Sequence, residues 1–378
     1  MVEGMQFSRE EMARYHRHLI LPEFGVEGQQ KLKAARVLVV GAGGLGSPLL
    51  LYLAAAGVGT IGIVEFDTVD ASNLQRQVLF GQRDTGTGKA VAARNRLTDL
   101  NPHIKVRIHE VRLTSGNAME IMQEYDVVAD GSDNFPTRYL VNDACVLAGK
   151  PLVYAAVSQF EGQVSVFHFQ NKSGERGPNY RDLYPEPPAP GSILSCAEGG
   201  VLGVLPGIIG SMQALEVIKI ITGIGEPLDG RLFLFDALGF QSRTFKIRKR
   251  ADNPLNEGNP AITQLIDYEL FCGIEKPVKE ITVSELDEWR NSGEPFQLID
   301  VREPHEHAAF NLGGASIPLG AISDEAELIS KTQKIVLYCQ SGLRSSKAAR
   351  ELEKLGFEQV YSLKGGVMAA PHYAVLPL

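Results

Sequence analysis

The chain has 378 residues, room for two or three domains and a full hydrophobic core without disulfides or metal. Apolar residues make up 44% and charged residues 22%, too apolar for disorder, and 37 basic against 45 acidic side chains leave a net charge of −8, which argues against a nucleic-acid partner. Cys145, Cys196, Cys272 and Cys339 are too widely spaced for a disulfide framework, and the charged N-terminus has no apolar secretory segment, so a reducing, cytoplasmic location is expected.

A polar N-terminal helix is expected ahead of ARVLVV (Ala35–Val40), a β-branched apolar run of the kind buried in a parallel sheet. A glycine turn follows, then an apolar helix over Pro48–Ala56 and a strand over Thr60–Glu65. YDVVADGSD (Tyr125–Asp133) and KPLVYAAV (Lys150–Val157) read as further strands with helical stretches between them, the alternation of a doubly wound, Rossmann-like α/β domain. QVSVFHF (Gln163–Phe169) and RLFLFDA (Arg231–Ala237) alternate more and suit an antiparallel extension. Residues 201–224 are largely apolar, but Pro206, Gln213, Glu216 and Lys219 interrupt them. They read as a buried helix from Ser211 ending at Gly223, not as a membrane span. Pro254, Gly258 and Pro260 amid polar residues mark a linker over 251–278. The expected domains are thus 1–250 and 279–378, the second a small α/β domain whose segments FQLIDVR, KIVLYCQ and QVYSLKGG each end a strand in a turn.

VLVVGAGGLGS (Val37–Ser47) fits G-x-G-x-x-G between strand and helix. Gly41, Gly43 and Gly46 allow a tight turn, so that amides and the helix N-terminus can face phosphate. NAD, FAD and ATP users share that pattern. Glu65, about 20 residues on, is placed to accept both ribose hydroxyls, or is a solvated strand-end acid. The next segment separates the candidates. Asn73, Gln75, Arg76 and Gln77 form a polar cluster, Lys89 lies in GTGKA, and Asp133–Asn134 follow the strand VVAD. A dehydrogenase does not need Arg and Lys aimed at a triphosphate, whereas an adenylating enzyme uses fixed cations against charge on the α-phosphate and pyrophosphate. Asp133 suits Mg²⁺, which takes oxygen ligands.

RYHRHLILPEFGVEGQ, GAGGLGS, DASNLQRQ and DGSDN together resemble the MoeB/ThiF group of E1-like activating enzymes, over about residues 8 to 250. Members adenylate the C-terminal glycine of a small ubiquitin-like sulfur carrier. The resemblance implies ATP contacts at Gly44, Glu65, Ser72, Asn73, Leu74, Gln75, Arg76, Lys89, Asp133 and Asn134. It also implies a homodimer, with Arg17 matching an arginine that reaches the partner subunit's ATP. Glu65 stands where the family usually has Asp. Relatives commonly carry two C-x-x-C pairs that bind structural zinc; this chain has Asn179, Asp182, Asn253 and Asn256 there, so no zinc is expected and packing or hydrogen bonds must tie that region.

The resemblance places Cys196 where activating enzymes keep a cysteine proposed to bond with the carrier. A start-of-helix position would lower its pKa, and a buried inert cysteine is the other reading. Cys145 is expected in the core and Cys272 to be structural. In KIVLYCQSGLRSSKAA, Cys339 follows a strand and precedes a helix, so that successive amides of the loop to Arg344 can face the sulfur, with Arg344 adding positive charge at the rim. With LIDVREPHEH and SLKGGVMA this resembles a rhodanese domain over about residues 279–370. A cysteine phosphatase is the rival, but that class places five residues between Cys and Arg, where this chain has four. Ala370 stands where many rhodaneses have tryptophan, and His305 and His307 read as exposed residues without a catalytic role.

The two domains together closely resemble the fused, MoeZ type of adenylyltransferase/sulfurtransferase. That type implies ATP and Mg²⁺, a carrier with a Gly-Gly terminus, and a sulfur donor such as a cysteine desulfurase or thiosulfate. Cys339 would carry the sulfur as a persulfide. The alternatives are an adenylyltransferase whose second domain only docks or senses, and an NAD-dependent oxidoreductase resting on the glycine turn alone.

Overall fold

The computed structural model describes residues 6–189, 192, 199–256, 260–274 and 278–370. It divides into two compact units, Met1–Ile274 and Glu275–Leu378.

The first unit is built on eight strands: β1 (Arg36–Val40), β2 (Thr60–Val64), β3 (Lys105–His109), β4 (Val127–Asp130), β5 (Leu152–Ser158), β6 (Glu161–Phe167), β7 (Arg231–Asp236) and β8 (Gln241–Lys246). Their order is β3-β2-β1-β4-β5-β6-β7-β8. The first five are parallel, and β6 to β8 continue the sheet antiparallel. The sheet grows to both sides of β1, so a crevice opens at the C-terminal ends of β1 and β4, where α/β sheets bind ligands. Val37, Leu38 and Val39 have no exposed surface, as a strand covered on both faces requires. Two strands of this unit escaped the sequence reading. β3 is a half-exposed edge, and every residue of β8 is exposed, so neither carries a run of buried positions.

The apolar helix starts at Val204 rather than Ser211, because Pro206 falls in its first turn, where a missing amide costs nothing. By length and composition it could cross a membrane. Its residues Leu205, Ile209, Gln213, Ala214 and Val217 are buried in the first unit, against β5, β6 and the helix Gly46–Ala56. The stretch expected as a linker packs on this unit as far as its described residues go in the unit, with Leu255, Tyr268 and Cys272 buried. A buried knot explains it. The Arg181 guanidinium pairs with both oxygens of Asp143, at 2.9 and 2.7 Å, and the Tyr268 hydroxyl donates to the same carboxylate at 2.8 Å. Arg181 also stacks on Tyr139 and Phe271.

The second unit has five parallel strands, β9 (Lys279–Ile281), β10 (Phe296–Asp300), β11 (Ala315–Ser316), β12 (Lys334–Tyr338) and β13 (Val360–Leu363), ordered β11-β10-β12-β13-β9. Along β12, Ile335 and Leu337 join one apolar core with Ala348 and Leu352 of helix Leu343–Lys354. Val336 and Tyr338 join the other, with Leu286 of helix Val283–Ser292. The strand's two-residue period thus serves two layers at once. Ala370 is buried in that second layer.

Candidate functional site

The glycine turn between β1 and helix Gly46–Ala56 is built on close approach. Gly41 has φ +91°, in the left-handed region. A Cβ on Gly46 would lie 2.1 Å from the Gly41 carbonyl oxygen, and one on Gly41 would lie 3.1 Å from that of Gly131. No side chain caps the helix N-terminus. The Ser47 amide donates to the Gly43 carbonyl at 2.9 Å, the Leu49 amide to Leu45 at 3.3 Å and Pro48 has none, so the Gly46 amide is the helix donor that remains at the turn for a ligand. Glu65 is buried and reaches into the turn: Oε2 accepts from the Ala42 amide at 2.9 Å, while Oε1 accepts from Phe66 at 2.9 Å and Asp67 at 3.0 Å. The carboxylate retains lone pairs beyond these three bonds.

Two other segments flank the turn. In the first, the Arg76 Cγ is 3.7 Å from where a Gly44 Cβ would sit, and its Nη1 donates to the Ser72 carbonyl at 3.4 Å. Gln77 is buried with its Nε2 3.7 Å from a Gly43 Cβ position. Ser72 is exposed and closes a turn on Asp70, and Asn73 is half-buried. Leu74 packs on the core. Gln75 lies against Gly203, whose Cβ would be 2.3 Å from the Gln75 carbonyl oxygen. The second segment runs from Asp130 to Asn134. Asp130 is fully buried, and loss of solvation pushes its carboxyl above the usual range despite a bond from the Ser132 amide at 2.9 Å. Asn134 caps helix Phe135–Leu147 by accepting from the Thr137 amide at 3.0 Å. Asp133 beside it is exposed, an oxygen donor of the kind Mg²⁺ takes.

Lys89 opens the helix Lys89–Leu100 and is buried, with Nζ 3.3 Å from Asp67 Oδ2. Because the Asp67 amide binds Glu65, the lysine is tied to the same turn. Buried Ser47 Oγ, Gln77 Oε1, Asp130 Oδ2 and Ser132 Oγ have no hydrogen-bond partner among the described residues. A phosphate-bearing ligand with polar edges fits this cradle. Arg17 does not join it. Its helix, Arg9–Leu19, packs through Tyr15 and His18 on Gly57 and Gln29, at the far end of helix Gly46–Ala56 from the glycine turn. Cys196 lies outside the described residues.

The four positions where zinc-binding relatives are expected to carry cysteine meet in hydrogen bonds. Asn253 Nδ2 donates to Asn179 Oδ1 at 3.1 Å, the Arg250 amide to Asp182 Oδ1 at 2.8 Å, and Asn256 Nδ2 to the Arg250 carbonyl. Of the two ties that the sequence left open, both are present: these hydrogen bonds, and the burial of Tyr180 and Leu255 beside them.

In the second unit Cys339 follows β12 directly and is 1% exposed. Its Sγ accepts from the Gly342 amide at 3.2 Å and from Ser345 Oγ at 3.6 Å. Burial works to raise the thiol pKa, but the Ser345 amide and hydroxyl and the Ser341 and Gly342 amides outweigh it, so the pKa falls below its usual 9.0. By contrast, burial pushes Cys272 up to about 11 despite the nearby Arg181 charge, and burial with the Asp130 and Asp143 charges raises Cys145 well above its usual value. The SLKGG turn holds the loop: the Val367 amide donates to the Cys339 carbonyl at 2.8 Å, and a Cβ on Gly366 would lie 2.2 Å from that oxygen. Ser345 Oγ lies 2.8 Å from Ser362 Oγ. Arg344 is half-buried at the rim, and both terminal nitrogens are bound by Glu306, at 2.6 and 2.7 Å.

His307 departs from its expected exposure. Its Nδ1 is 2.9 Å from Asp300 Oδ2, which also accepts from Arg302, so it braces the loop after β10. His305 is exposed. Sequence reasoning missed Asp130, Ser345, Ser362 and Glu306. Asp130 had a signal, an acid closing an apolar strand, as Glu65 does. Glu306 had none, because 38 residues separate it from Arg344.

Residues 15–256 match the ThiF family and residues 282–370 the rhodanese-like domain. The chain is 51% identical over 372 residues to "Probable adenylyltransferase/sulfurtransferase MoeZ" of Mycobacterium tuberculosis, covering 96% of this chain and 93% of that protein. It is 55% identical over 270 residues to "Sulfur carrier protein adenylyltransferase" of Thermus thermophilus, covering 71% of this chain and all of that protein. "Adenylyltransferase and sulfurtransferase MOCS3" of Drosophila ananassae is 43% identical over 97% of this chain and 85% of its own length. Among solved structures, E. coli MccB with ATP superposes with a TM-score of 0.54 at 22% identity, over 64% of this chain and 73% of that one, a likeness of fold.

Proposed function

The chain belongs to the ThiF family and carries a rhodanese-like domain after it, and from that premise we propose that it activates a small ubiquitin-like sulfur carrier with ATP and converts its C-terminal carboxylate to a thiocarboxylate. The observation that carries this reading is one chain holding both a glycine cradle flanked by Arg76 and Lys89 and a cysteine sulfur nested on amides.

In the first step a carrier Gly-Gly carboxylate oxygen attacks the α-phosphorus of ATP, and the bond to the bridging oxygen of pyrophosphate breaks. Gly41, Gly43, Gly44 and Gly46 receive the phosphates, Glu65 the ribose, and the segment Ser72–Arg76 with Asn134 lines the nucleotide. Arg76 and Lys89 meet the charge that grows on the α-phosphate and leaving group, for which Lys89 would leave Asp67. Asp133 would hold Mg²⁺, which offsets phosphate charge when bound. In the second step the Cys339 thiolate takes a sulfane sulfur from a cysteine desulfurase persulfide or thiosulfate. The resulting persulfide attacks the acyl carbon and AMP leaves. A second thiol, which we assign to Cys196, attacks the Cys339 sulfur, frees the carrier thiocarboxylate, and leaves a disulfide for a cellular thiol to reduce. We assign the site to a cytoplasmic homodimer in which Arg17 serves the partner's nucleotide, without structural zinc.

The test is intact-mass analysis of Gly-Gly carriers incubated with the protein, ATP, Mg²⁺, cysteine and a cysteine desulfurase. The expected result is one oxygen replaced by one sulfur, lost in Cys339→Ala. Carrier adenylate without sulfur from any donor would make the second unit a docking or sensing module. Nicotinamide binding in place of ATP binding would overturn the whole reading.

A further inference from the structure

The guanidinium of Arg344 belongs to the rim of the Cys339 loop, within electrostatic reach of the sulfur. It does not face that mouth as a free cation. Both oxygens of Glu306, from helix Pro304–Ala309, hold it in a two-point pair. Hydrogen bonds from Arg344 and from the Glu303 amide keep the Glu306 pKa down at about 2, so the carboxylate is ionised throughout the neutral range. Glu303 places another negative charge near the same guanidinium. Leu343 in the loop is 75% exposed, and so is 67% of Met368, whose amide binds the loop at the Gln340 carbonyl. The rim therefore offers apolar surface and a matched ion pair.

The two donor chemistries make different demands on such a rim. Attack on thiosulfate brings the Cys339 thiolate against a dianion. A bond forms to the outer sulfur, the sulfur–sulfur bond of thiosulfate breaks, and the electron pair leaves on sulfite, with three negative charges gathered throughout. Attack on an alkyl persulfide, R–S–SH, forms the same bond and releases R–S⁻ with its electron pair, and one negative charge is present from start to finish. A cation free to meet the donor would favour thiosulfate; one already matched by a carboxylate does not.

We propose that Glu306 sets the sulfur donor of this site, holding Arg344 in a matched pair so that Cys339 is loaded by alkyl persulfides in preference to thiosulfate. The proposal rests on the reading of Cys339 as a persulfide carrier. Glu306 acts through Arg344, as a specificity-determining residue of the rim.

The experiment compares kcat/KM for loading Cys339 by thiosulfate and by persulfide in the full chain and in Glu306→Gln, with the added sulfur read by intact mass. The persulfide is supplied as free cysteine persulfide and as a persulfidated cysteine desulfurase, so each source shows its own rate. The thiosulfate-to-persulfide ratio is expected to rise about tenfold in Glu306→Gln against either source, mostly through a lower KM for thiosulfate. A structural role alone would slow both donors together, so a ratio within about twofold of the parent overturns the proposal. The unaltered chain gives a second reading that no folding defect can blur. Its thiosulfate rate should climb with ionic strength, as screening relieves repulsion, and a rate that falls steeply with salt overturns the proposal too. If neither donor places sulfur on Cys339, the underlying reading fails and this inference with it.

Discussion

Both units set their chemistry on a turn between a buried parallel strand and a helix, yet the turns are filled in opposite ways. At Gly41–Gly46 four glycines leave the backbone bare, with only Ala42 and Leu45 turned into the core, and the groups around it come from far along the chain: Glu65 after β2, Arg76, Lys89 and Asp133. At Cys339–Arg344 the loop's own sulfur fills the space, held by Gly342 and Ser345 a few residues away. A site that must hold a whole nucleotide needs many segments. A site that carries one sulfur atom can be written almost entirely in a single short loop.

That division is broken or upheld most sharply by Cys339→Ala. Sulfur incorporation into the carrier should fall by about a thousandfold or more, with ATP–pyrophosphate exchange retained. An equal loss of both activities, measured side by side, would mean that the units do not divide the chemistry. Lys89→Ala should produce the converse, with exchange lowered on the order of a hundredfold while loading of Cys339 from a persulfide proceeds.

Stability sharpens the contrast. Each unit buries an Arg–Asp pair, but Arg181 and Asp143 join segments 38 residues apart, whereas Arg302 and Asp300 brace a single strand end. Asp143→Ala strands a buried guanidinium and frees Tyr268, and is expected to cost about 3–5 kcal/mol, read as a lowered Tm. A Tm within a degree or two of the parent would show that the knot does not hold the 260–274 stretch in place.

The smallest effect concerns the sulfur itself. Because the thiolate is the reactive form and donors at the loop pull the Cys339 pKa below 9.0, alkylation should rise through a pKa on the acid side of that value. Ser345→Ala removes a donor to the anion, so the pKa rises, the profile moves to higher pH, and alkylation at pH 7 slows several-fold. An unmoved profile would assign the stabilisation to backbone amides alone.

The sequence was read best where the chemistry is contiguous. Gly41, Gly43 and Gly46 are a pattern because one turn needs all of them, and Cys339 to Arg344 is legible because a strand, a cysteine, a glycine and a helix follow in order. Strands β1, β2, β4 and β5 were visible because burial on both faces demands unbroken apolar runs. β3 and β8 were not, since an edge strand held by backbone pairing needs no such run.

The amino-acid sequence by itself thus determined the α/β class of both units, the two loops and the family to which they point. Tertiary structure alone decided that Glu306 binds Arg344, that Asn253 reaches Asn179, and that Tyr268 closes on Asp143. Glycine turns and strand periods are local rules of sterics and burial, which a short window contains in full. A polar pair made across 38, 74 or 125 residues has no such window: any acid can answer any arginine until the packed strands and helices choose which two meet.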